Sequence, residues 1–423
     1  MSNECLIRKV ISRMIYDSRG IPTIEIDIVT DKGIGRNAAP FGAPGSRGIY
    51  EASAYGSVGL EGMADVIQKE VTPRLVGVDA ADVHLCDQII KEIDGSENFS
   101  RIGGNTSSAL SIAIAKAAAH FSGKPMFQLF SEGNPTLPYP LGNIIGGGAH
   151  SMGAAPDMQE HLVIPVGASS FSEAVKINIL VHEETGRIFE KSDPNFTGGT
   201  DDERAWTANL TDYKALEVLS EACKRVKNET GVSIRMGLDV AADRFWDSDR
   251  KIYLYERENV ARTTEEQIDY MQELTEKFKL FFVEDAFQSD DYESFAELTK
   301  RVGSHCYVCG DDLLATNKER TERGIEKRAV NSMILKVNQV GTVTGAEQTG
   351  NFAKAYEIDT VISHRSGETE DYSIAHLGVA WNCAGIKTGV IGGERLAKLN
   401  ELIRIEEILG SDARLATLQI IPE

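Results

Sequence analysis

The sequence predicts an α/β fold in which helices surround a closed barrel of parallel strands. The first observation is a regular alternation of helical and apolar, strand-like segments between residues 212 and 409, which is typical of such barrels. The second is that polar side chains end successive strands, as in R-M-G-L-D at Asp239, F-F-V-E-D at Glu284 and I-L-K at Lys336. Because chemistry in these barrels takes place at the carboxyl ends of the strands, we expect a functional site there.

The predicted elements of the barrel follow one another with short connections. A first strand, H-L-V-I-P-V, comes directly after D-M-Q-E and precedes a helical segment and a polar loop. Apolar periodicity then predicts strands at 233–240, 279–285, 305–311, 331–338, 359–364 and 385–388. It predicts helices at 212–229, 264–277, 291–302, 317–328, 342–355, 371–383 and 393–409.

The N-terminal part is predicted to be a smaller α+β region. Residues 6–30 are expected to form two strands joined by a turn at D-S-R-G, because T-I-E-I-D-I-V alternates apolar and polar residues. Helical stretches are expected over 60–93 and 105–121, the second of them capped by Asn105 or Thr106.

A domain boundary is predicted between the two parts. Residues 131–143 contain three prolines and show no periodicity, which is typical of a connecting segment. We therefore expect an N-terminal domain over 1–132 and a C-terminal barrel over 138–423.

Composition disfavours several classes of function. The formal net charge is −20, which argues against nucleic acid or an anionic membrane as the main partner. The chain shows neither a signal-peptide core nor an apolar run of membrane-spanning length, and six scattered cysteines fit a reducing compartment, so a cytoplasmic location is expected. Cys306 and Cys309 form a C-x-x-C, but in a strand they would point to opposite faces, which disfavours metal or redox use.

Three carboxylates end three successive strands: Asp239, Glu284 and Asp311. Oxygen-only ligands on rigid strands suit a hard cation with open coordination positions, and Mg²⁺ is the expected ion. The alternative is a solvated or salt-bridged rim, because acids are common at strand ends. Three acids in register, with a lysine on the next strand, favour the metal site.

Lys336 is the candidate general base. A divalent cation, Arg365 and Lys387 should lower its pKa, and a neutral amine can remove a proton from the carbon α to a metal-bound carboxylate. The alternative is a structural lysine paired with an acid. Nearby, His364, Arg365 and Ser366 offer an arginine fork and a hydroxyl that match a phosphate group, although alone they could form an ordinary capping loop.

At these residues the chain resembles the enolase family, the phosphopyruvate hydratases. The matching stretches, from Asp17 to Leu409, are D-S-R-G-I-P-T-I-E, G-D-D-L-L-A-T-N, L-K-V-N-Q-V-G-T, S-H-R-S-G-E-T-E-D and I-K-T-G. The fourth is highly specific, whereas the acids alone would indicate only the wider superfamily. The resemblance implies a modified TIM-type (β/α)8 barrel with a β-β-α-α start, an N-terminal α+β domain that caps it, and a homo-oligomer, either a dimer or an octamer.

The resemblance also implies a reaction and the residues that perform it. Lys336 would take the C2 proton in the Mg²⁺-dependent interconversion of 2-phospho-D-glycerate and phosphoenolpyruvate plus water, as in glycolysis and gluconeogenesis. One Mg²⁺ bound tightly and a second bound with substrate would stabilise the dianionic intermediate. The other implied residues are Asp239, Glu284 and Asp311 as metal ligands, Glu203 as the acid for the C3 hydroxyl with Glu160 and Gln159 beside it, His364, Arg365 and Ser366 at the phosphate, Lys387 at the carboxylate, and His150 on a closing loop.

The first lid departs from the family pattern. The family reads close to P-S-G-A-S-T-G there, and its serine binds the second Mg²⁺. Here the loop Pro40–Gly48 is two residues longer, and Phe41 falls where that serine would be. Ser46 is the candidate substitute, in which case Arg47 replaces a threonine.

Two further stretches differ from the family. The family's G-D-E-G-G-F is changed so that Arg204 and an alanine replace two glycines and a tryptophan replaces the phenylalanine. There is also one extra residue between His150 and Gln159, and His161 stands where a phenylalanine is usual. Lids set substrate shape and exclude water, so these changes bear on the substrate more than on the reaction type.

Three hypotheses follow. The first is authentic enolase activity. The second is an enolase-like paralogue that uses the same enolate chemistry on a different phosphorylated or phosphonate carboxylic acid, bound by the basic residues Arg47 and Arg204. The third, a non-catalytic scaffold, is disfavoured because a scaffold needs neither Lys336 nor the three metal acids.

Overall fold

The computed structural model describes residues 4–42, 50–131, 133–151, 153 and 155–420. Ser46 and Arg47 lie outside the described residues, so the roles predicted for them stay predictions. Among the described residues, no helix is both long and apolar enough to cross a membrane.

The N-terminal region is a three-stranded antiparallel sheet with helices. Its strands pair in the order β1 (Ile7–Tyr16), β2 (Pro22–Thr30) and β3 (Ile34–Ala38). Its helices are α1 (Gly59–Val66), α2 (Thr72–Leu75), α3 (Val83–Asp94), α4 (Gly104–Ser122) and α5 (Phe127–Phe130), with a π-helical turn at Ile67–Val71. The predicted hairpin is confirmed, whereas β3 was not predicted, because I-G-R-N-A has little apolar alternation.

One local prediction in this region is wrong. Asn105 and Thr106 do not cap α4, which starts after Gly103 (φ 85°) without a side-chain cap. The Asn105 side chain instead accepts a hydrogen bond from Asn338 Nδ2 at 2.9 Å. It therefore joins the N-terminal region to the barrel.

The remainder of the chain forms a closed barrel with surrounding helices. In chain order its strands are β4 (Tyr139–Gly146), β5 (Glu160–Ile164), β6 (Arg235–Asp239), β7 (Trp246–Asp247), β8 (Ile252–Tyr255), β9 (Val260–Thr263), β10 (Leu280–Glu284), β11 (Tyr307–Gly310), β12 (Ser332–Leu335), β13 (Asp359–Ser363) and β14 (Gly385–Lys387). Its helices are α6 (Phe171–Ser192), α7 (Asp212–Thr230), α8 (Thr264–Phe278), α9 (Tyr292–Val302), α10 (Lys318–Lys327), α11 (Val337–Val340), α12 (Val343–Lys354), α13 (Ser373–Ala380) and α14 (Gly393–Leu409).

The barrel closes in the order β10-β11-β12-β13-β14-β4-β5-β6. Strand β5 is antiparallel to both β4 and β6, so the barrel is not purely parallel. The hairpin β4–β5 followed by α6 and α7 is the β-β-α-α start that the family resemblance implied. Strands β7 to β9 form a separate small sheet that was not predicted, because its strands have only two to four residues.

The barrel brings the predicted polar residues to one edge. Asp239 and Glu284 end β6 and β10 and are register partners, and Lys387 ends β14. Lys336 directly follows β12 and precedes α11, so the strand predicted over 331–338 is shorter than expected. Because β5 is antiparallel, its first residue, Glu160, lies at the same edge, paired in register with Asp239.

The C-x-x-C cysteines belong to the hydrophobic core. Cys306 packs in the larger apolar cluster and Cys309 in a second, smaller cluster, in keeping with the opposite faces expected of a strand. Both side chains are fully buried, and burial raises the pKa of both thiols. Neither cysteine belongs to a group of potential metal ligands among the described residues.

Candidate active site at the strand ends

A cavity of about 610 Å³ opens at the carboxyl ends of the barrel strands. The predicted site residues that line it are Lys336, Glu203, Glu160, His150, Gln159, His364, Arg365, Ser366, Lys387, Asp239 and Asp311. Glu284 lies behind this lining, fully buried, and contacts the Lys387 ammonium. The structure thus brings all the predicted site residues into one place.

Lys387 lies among the buried carboxylates. Its Nζ is 2.9 Å from Glu284 Oε2, 3.0 Å from Asp239 Oδ2 and 3.2 Å from Glu160 Oε1. Burial alone would lower the pKa of this lysine, but the three acids outweigh it and raise the pKa well above the usual value. The ammonium therefore compensates part of the negative charge of the acids.

The acids also fit a hard cation. Glu284 Oε1 is buried and has no hydrogen-bond partner among the described residues. Oxygens of Glu284, Asp285 and Asp311 lie within 4.8 Å of one another. Both oxygens of Asp285 already accept backbone N–H groups, from Asp311 at 3.0 Å and Asp312 at 2.7 Å. The assignment of Asp239, Glu284 and Asp311 as the Mg²⁺ ligands stays a prediction, because Asp239 does not belong to that group and its Oδ1 likewise accepts a backbone N–H, from Ala241 at 3.1 Å.

Lys336 Nζ donates a hydrogen bond to Asp311 Oδ2. Burial, Arg365 and Lys387 act to lower the pKa of Lys336, as expected from the sequence, but Asp311 and Glu284 outweigh them. Among the protein's own charges the net effect is a raised pKa, and the lowering expected with a divalent cation bound stays a prediction. Lys336 holds its proton while it is paired with Asp311.

The other side chains of the cavity include a compact group of a histidine and two glutamates. His150 Nε2 is 3.8 Å from Glu160 Oε1 and 3.6 Å from Glu203 Oε1, while its Nδ1 is 2.7 Å from Asp202 Oδ1. Burial opposes its protonation, but these carboxylates raise the pKa of His150 to about 10.

The two glutamates of this group have different pKa values. Burial raises the pKa of Glu160 to about 8, with Lys387 opposing. Burial acts the same way on Glu203, but His364, His150 and Arg395 outweigh it and hold its pKa well below the usual value. Oxygens of the two carboxylates lie within 4.8 Å of each other, so they titrate as a pair, in which burial favours the protonated form of Glu160.

The anion residues predicted from S-H-R-S-G lie beside this pair. His364 Nε2 is 3.2 Å from Glu203 Oε1. Arg365 donates to Asn338 Oδ1 at 2.8 Å and lies 3.3 Å from Glu51 Oε2. Its guanidinium is therefore held by side chains from two other segments of the chain. Ser366 is buried at the cavity wall.

The described part of the altered lids does not supply new charge to the cavity. Phe41 pairs with Gly367 through two backbone hydrogen bonds of 2.7 and 2.9 Å and stacks on Tyr55, so it joins the lid to the anion loop. Arg204 adopts a left-handed conformation (φ 70°) that favours the glycine of the family pattern. Its side chain is half exposed, 4.0 Å from Glu394, and does not line the cavity.

Sequence reasoning missed three residues that organise the site. Asp285 orients the backbone of Asp311, and Asp201 Oδ1 accepts the N–H groups of Glu203 and Ala205, each at 2.9 Å. Arg395, fully buried, contacts the loops that carry His364 and Glu203. The acid pair in F-F-V-E-D could have indicated Asp285, whereas nothing in the charged helix G-E-R-L-A-K marks Arg395.

This barrel, with its acids, buried lysines and glutamate pair at the strand ends, defines a class: barrel lyases that remove a proton α to a carboxylate beside a divalent cation. The chain matches the sequence models of the enolase N-terminal domain over residues 7–130 and of the enolase C-terminal TIM barrel domain over residues 134–422. The chain belongs to the enolase family.

Individual relatives agree with this assignment over nearly their whole length. The chain is 49% identical to the enolase of Methanosphaera stadtmanae, over 96% of this chain and 98% of the relative. It is 47% identical to the enolase of Methanothermobacter thermautotrophicus, over 96% and 97%, and 40% identical to that of Thermoplasma acidophilum, over 96% and 100%.

Proposed function

We propose that this site performs the enolase reaction with Lys336 as the base and the Glu160–Glu203 pair as the acid. As a member of the enolase family the protein is a phosphopyruvate hydratase, a carbon–oxygen lyase that interconverts 2-phosphoglycerate and phosphoenolpyruvate plus water. The observation that supports the division of roles is that Lys336 and the glutamate pair line one cavity, with the carboxylates and Lys387 between them.

The base must first lose its proton. Lys336 is paired with Asp311, so that contact has to be released before the amine can accept the C2 proton. Mg²⁺, held by Asp239, Glu284 and Asp311 and joined by a second ion with substrate, would supply positive charge against the dianionic carboxylate. Arg365 and Lys387, which both line the cavity, would bind the phosphate and the carboxylate.

The acid is the glutamate pair. Burial favours the protonated form of Glu160, whereas Glu203 accepts hydrogen bonds from Asn143 Nδ2 at 3.2 Å and from His364. Glu203 would give the proton to the departing C3 hydroxyl after receiving it within the pair, because coupled carboxylates share one proton. His150, protonated and buried, would bind the phosphate or the leaving water at the cavity wall.

Two extensions come from the family. We propose a homo-oligomer, a dimer or an octamer, and a cytoplasmic location. Light scattering of the purified protein tests the first.

The alternative of a paralogue with another acid as substrate is disfavoured. Of the two basic residues it relied on, Arg204 points away from the cavity toward Glu394. Full-length similarity to enolases at 40–49% identity adds to this argument.

The test follows phosphoenolpyruvate absorbance from 2-phosphoglycerate with Mg²⁺, with and without a chelator, together with deuterium exchange at C2. Chelator-sensitive turnover is expected, and Lys336→Met should lower exchange by about 10³-fold while Mg²⁺ still raises Tm. Lys116→Met, which removes a buried lysine paired with Asp371, is the matched control and should leave exchange intact. Preserved exchange in Lys336→Met would remove Lys336 as the base.

A further inference from the structure

Arg395 is the largest fully buried side chain of the described residues. It lies in the first turn of α14, separated from the glycine pair 392–393 by Glu394, and its guanidinium turns toward the barrel. Burying a guanidinium is costly unless its donors are used. Its ion pair among the described residues is a long one, 3.7 Å from Nε to Glu394 Oε1, so ion pairing does not explain its burial.

The guanidinium donates hydrogen bonds to the two loops that carry the acid and anion residues. Nη1 donates to His364 Nδ1 at 2.6 Å and to the Arg365 carbonyl at 2.8 Å. Nη2 donates to the carbonyls of Ser366 at 2.6 Å and of Asp202 at 3.2 Å. One side chain therefore joins residues 364–366 to the segment that presents Glu203.

The contact with His364 fixes the state of its ring. A guanidinium has only donors, so Nδ1 of His364 must be the acceptor. In a neutral imidazole the other nitrogen then carries the hydrogen, and Nε2 faces Glu203 Oε1 at 3.2 Å. In the opposite tautomer an N–H of Arg395 would face an N–H of the ring, and a lone pair would face the carboxylate.

We propose that Arg395 is a positioning residue that holds His364 as the neutral Nε2–H tautomer, so that His364 donates its hydrogen bond to Glu203. Burial, with Arg395 acting the same way, lowers the pKa of His364 to about 4, although Glu203 opposes this, which agrees with a neutral ring. The consequence for catalysis rests on the proposed function, because it assumes that Glu203 acts in the elimination step.

A purely structural role predicts something different. If the Arg395 hydrogen bonds only hold the two loops together, removing them would lower Tm. They would not determine which ring nitrogen of His364 carries the hydrogen. The tautomer is therefore the property that separates the two roles.

The experiment measures two-bond ¹H–¹⁵N correlations in full-length protein labelled with ¹⁵N-histidine. The chain has eight histidines, and His364→Gln assigns the signal. Wild type should show His364 with Nε2 protonated and Nδ1 unprotonated. Arg395→Met should give a mixture of tautomers or a doubly protonated ring, and Arg395→Lys, which keeps a charged donor, should restore much of the wild-type pattern.

Lys398→Met is the matched control. Lys398 is a buried cation of the same helix and donates to Glu368 and to the Thr369 carbonyl, not to His364. It should lower Tm and leave the His364 pattern unchanged. An Nδ1–H ring in wild type, or an unchanged ring in Arg395→Met, would overturn the proposal. If Arg395→Met does not fold, Arg395→Gln is measured instead, with the same criteria.

Kinetics separates this inference from the proposed function. Arg395→Met should slow elimination by about 10²-fold and affect C2 exchange much less. If the tautomer changes but exchange and elimination fall equally, the positioning of His364 stands and the role given to Glu203 is wrong. If the tautomer does not change, Arg395 has no such role whatever the kinetics show.

Discussion

The two halves of the cavity are built in different ways. Asp239, Glu284 and Lys387 occupy the ends of barrel strands, where the hydrogen-bonded ladder fixes their register. Glu203 and His150 lie on connecting segments and are held by side chains distant in sequence, Glu203 by Asn143 and His364 and His150 by Asp202. The strand-held half therefore keeps its geometry through backbone pairing, whereas the loop-held half depends on individual buried hydrogen bonds.

Left-handed non-glycine residues occur in both halves, at Ala241 (φ 47°) and Asp285 (φ 44°) after the strand ends and at Arg204 (φ 70°) in the loop-held half. Arg204 takes a left-handed conformation directly after Glu203, and such a conformation costs a non-glycine residue about 1 kcal/mol. Asp201 compensates by accepting the N–H groups of Glu203 and Ala205. We therefore expect a single substitution in the loop-held half to displace only the side chains around it, more locally than a substitution in the strand-held half.

The largest effect is expected from Glu203→Gln. The amide keeps the shape of the side chain but cannot carry the proton to the C3 hydroxyl, so elimination should fall by about 10²–10⁴-fold, whereas C2 exchange, which depends on Lys336, should fall much less. Parallel measurement of phosphoenolpyruvate formation and deuterium exchange checks this. Equal losses of both activities would mean that Glu203 also supports proton removal by Lys336. The distinction between the strand-held and loop-held halves would then fail.

A smaller effect is expected from Asp285→Asn in the strand-held half. Asp285 accepts the N–H groups of Asp311 and Asp312, and an amide would set an N–H against one of them. Mg²⁺ affinity should fall about 10- to 100-fold, as when a partner that orients a metal ligand is lost, and calorimetric titration with Mg²⁺ measures it.

Asp243→Asn is the control for that experiment. Asp243 is an exposed acid of the same cavity and accepts the N–H of Ser289, so Asp243→Asn removes an acid from the cavity without touching Asp311. If both variants lose the same affinity, the effect of Asp285 is one of general charge, and orientation of Asp311 plays no part.

The same difference explains what the sequence could predict. The strand ends were recognisable because an apolar run of fixed period places the following residue at a known edge, which located Asp239, Glu284 and Lys387 without a structure. Arg395, which joins the Glu203 segment to His364, was not recognisable, because it lies almost 200 residues from Glu203 in a helix whose charge pattern suggests a solvated face. The antiparallel β5 was also hidden from periodicity, since a buried strand has the same pattern in either direction.

A buried pair behind Glu160 offers the smallest and most specific prediction. Asp212 Oδ1 accepts the N–H of Met158 at 2.9 Å, while Asp212 Oδ2 and His161 Nε2 have no hydrogen-bond partner among the described residues. Burial raises the pKa of Asp212 to about 8 and lowers the pKa of His161 to about 4. Both groups are therefore neutral near pH 7, on the outer face of the strand that holds Glu160.

The sign of the pH dependence follows from these shifts. The folded protein keeps the Asp212 proton up to about pH 8, whereas the unfolded chain loses it near the ordinary value of 3.8. Between these values the folded state binds more protons, so the free energy of unfolding falls as pH rises. His161 acts in the opposite sense: the unfolded chain gains a proton below 6.5, and stability is lost as pH falls toward 4.

Asp212→Asn should abolish only the fall in the free energy of unfolding that accompanies rising pH. An asparagine keeps the acceptor for Met158 and cannot ionise, so the variant should gain about 1–2 kcal/mol over wild type at pH 8 and little at pH 5, where the unfolded chain has less to gain by ionising. Urea unfolding at the two pH values measures this. Asp212→Ala, which loses the hydrogen bond from the Met158 N–H at both pH values, is the control. A gain independent of pH would show that Asp212 is not protonated in the fold. Unchanged turnover in Asp212→Asn would show that the strand-held half tolerates a change directly behind it, as its backbone pairing implies.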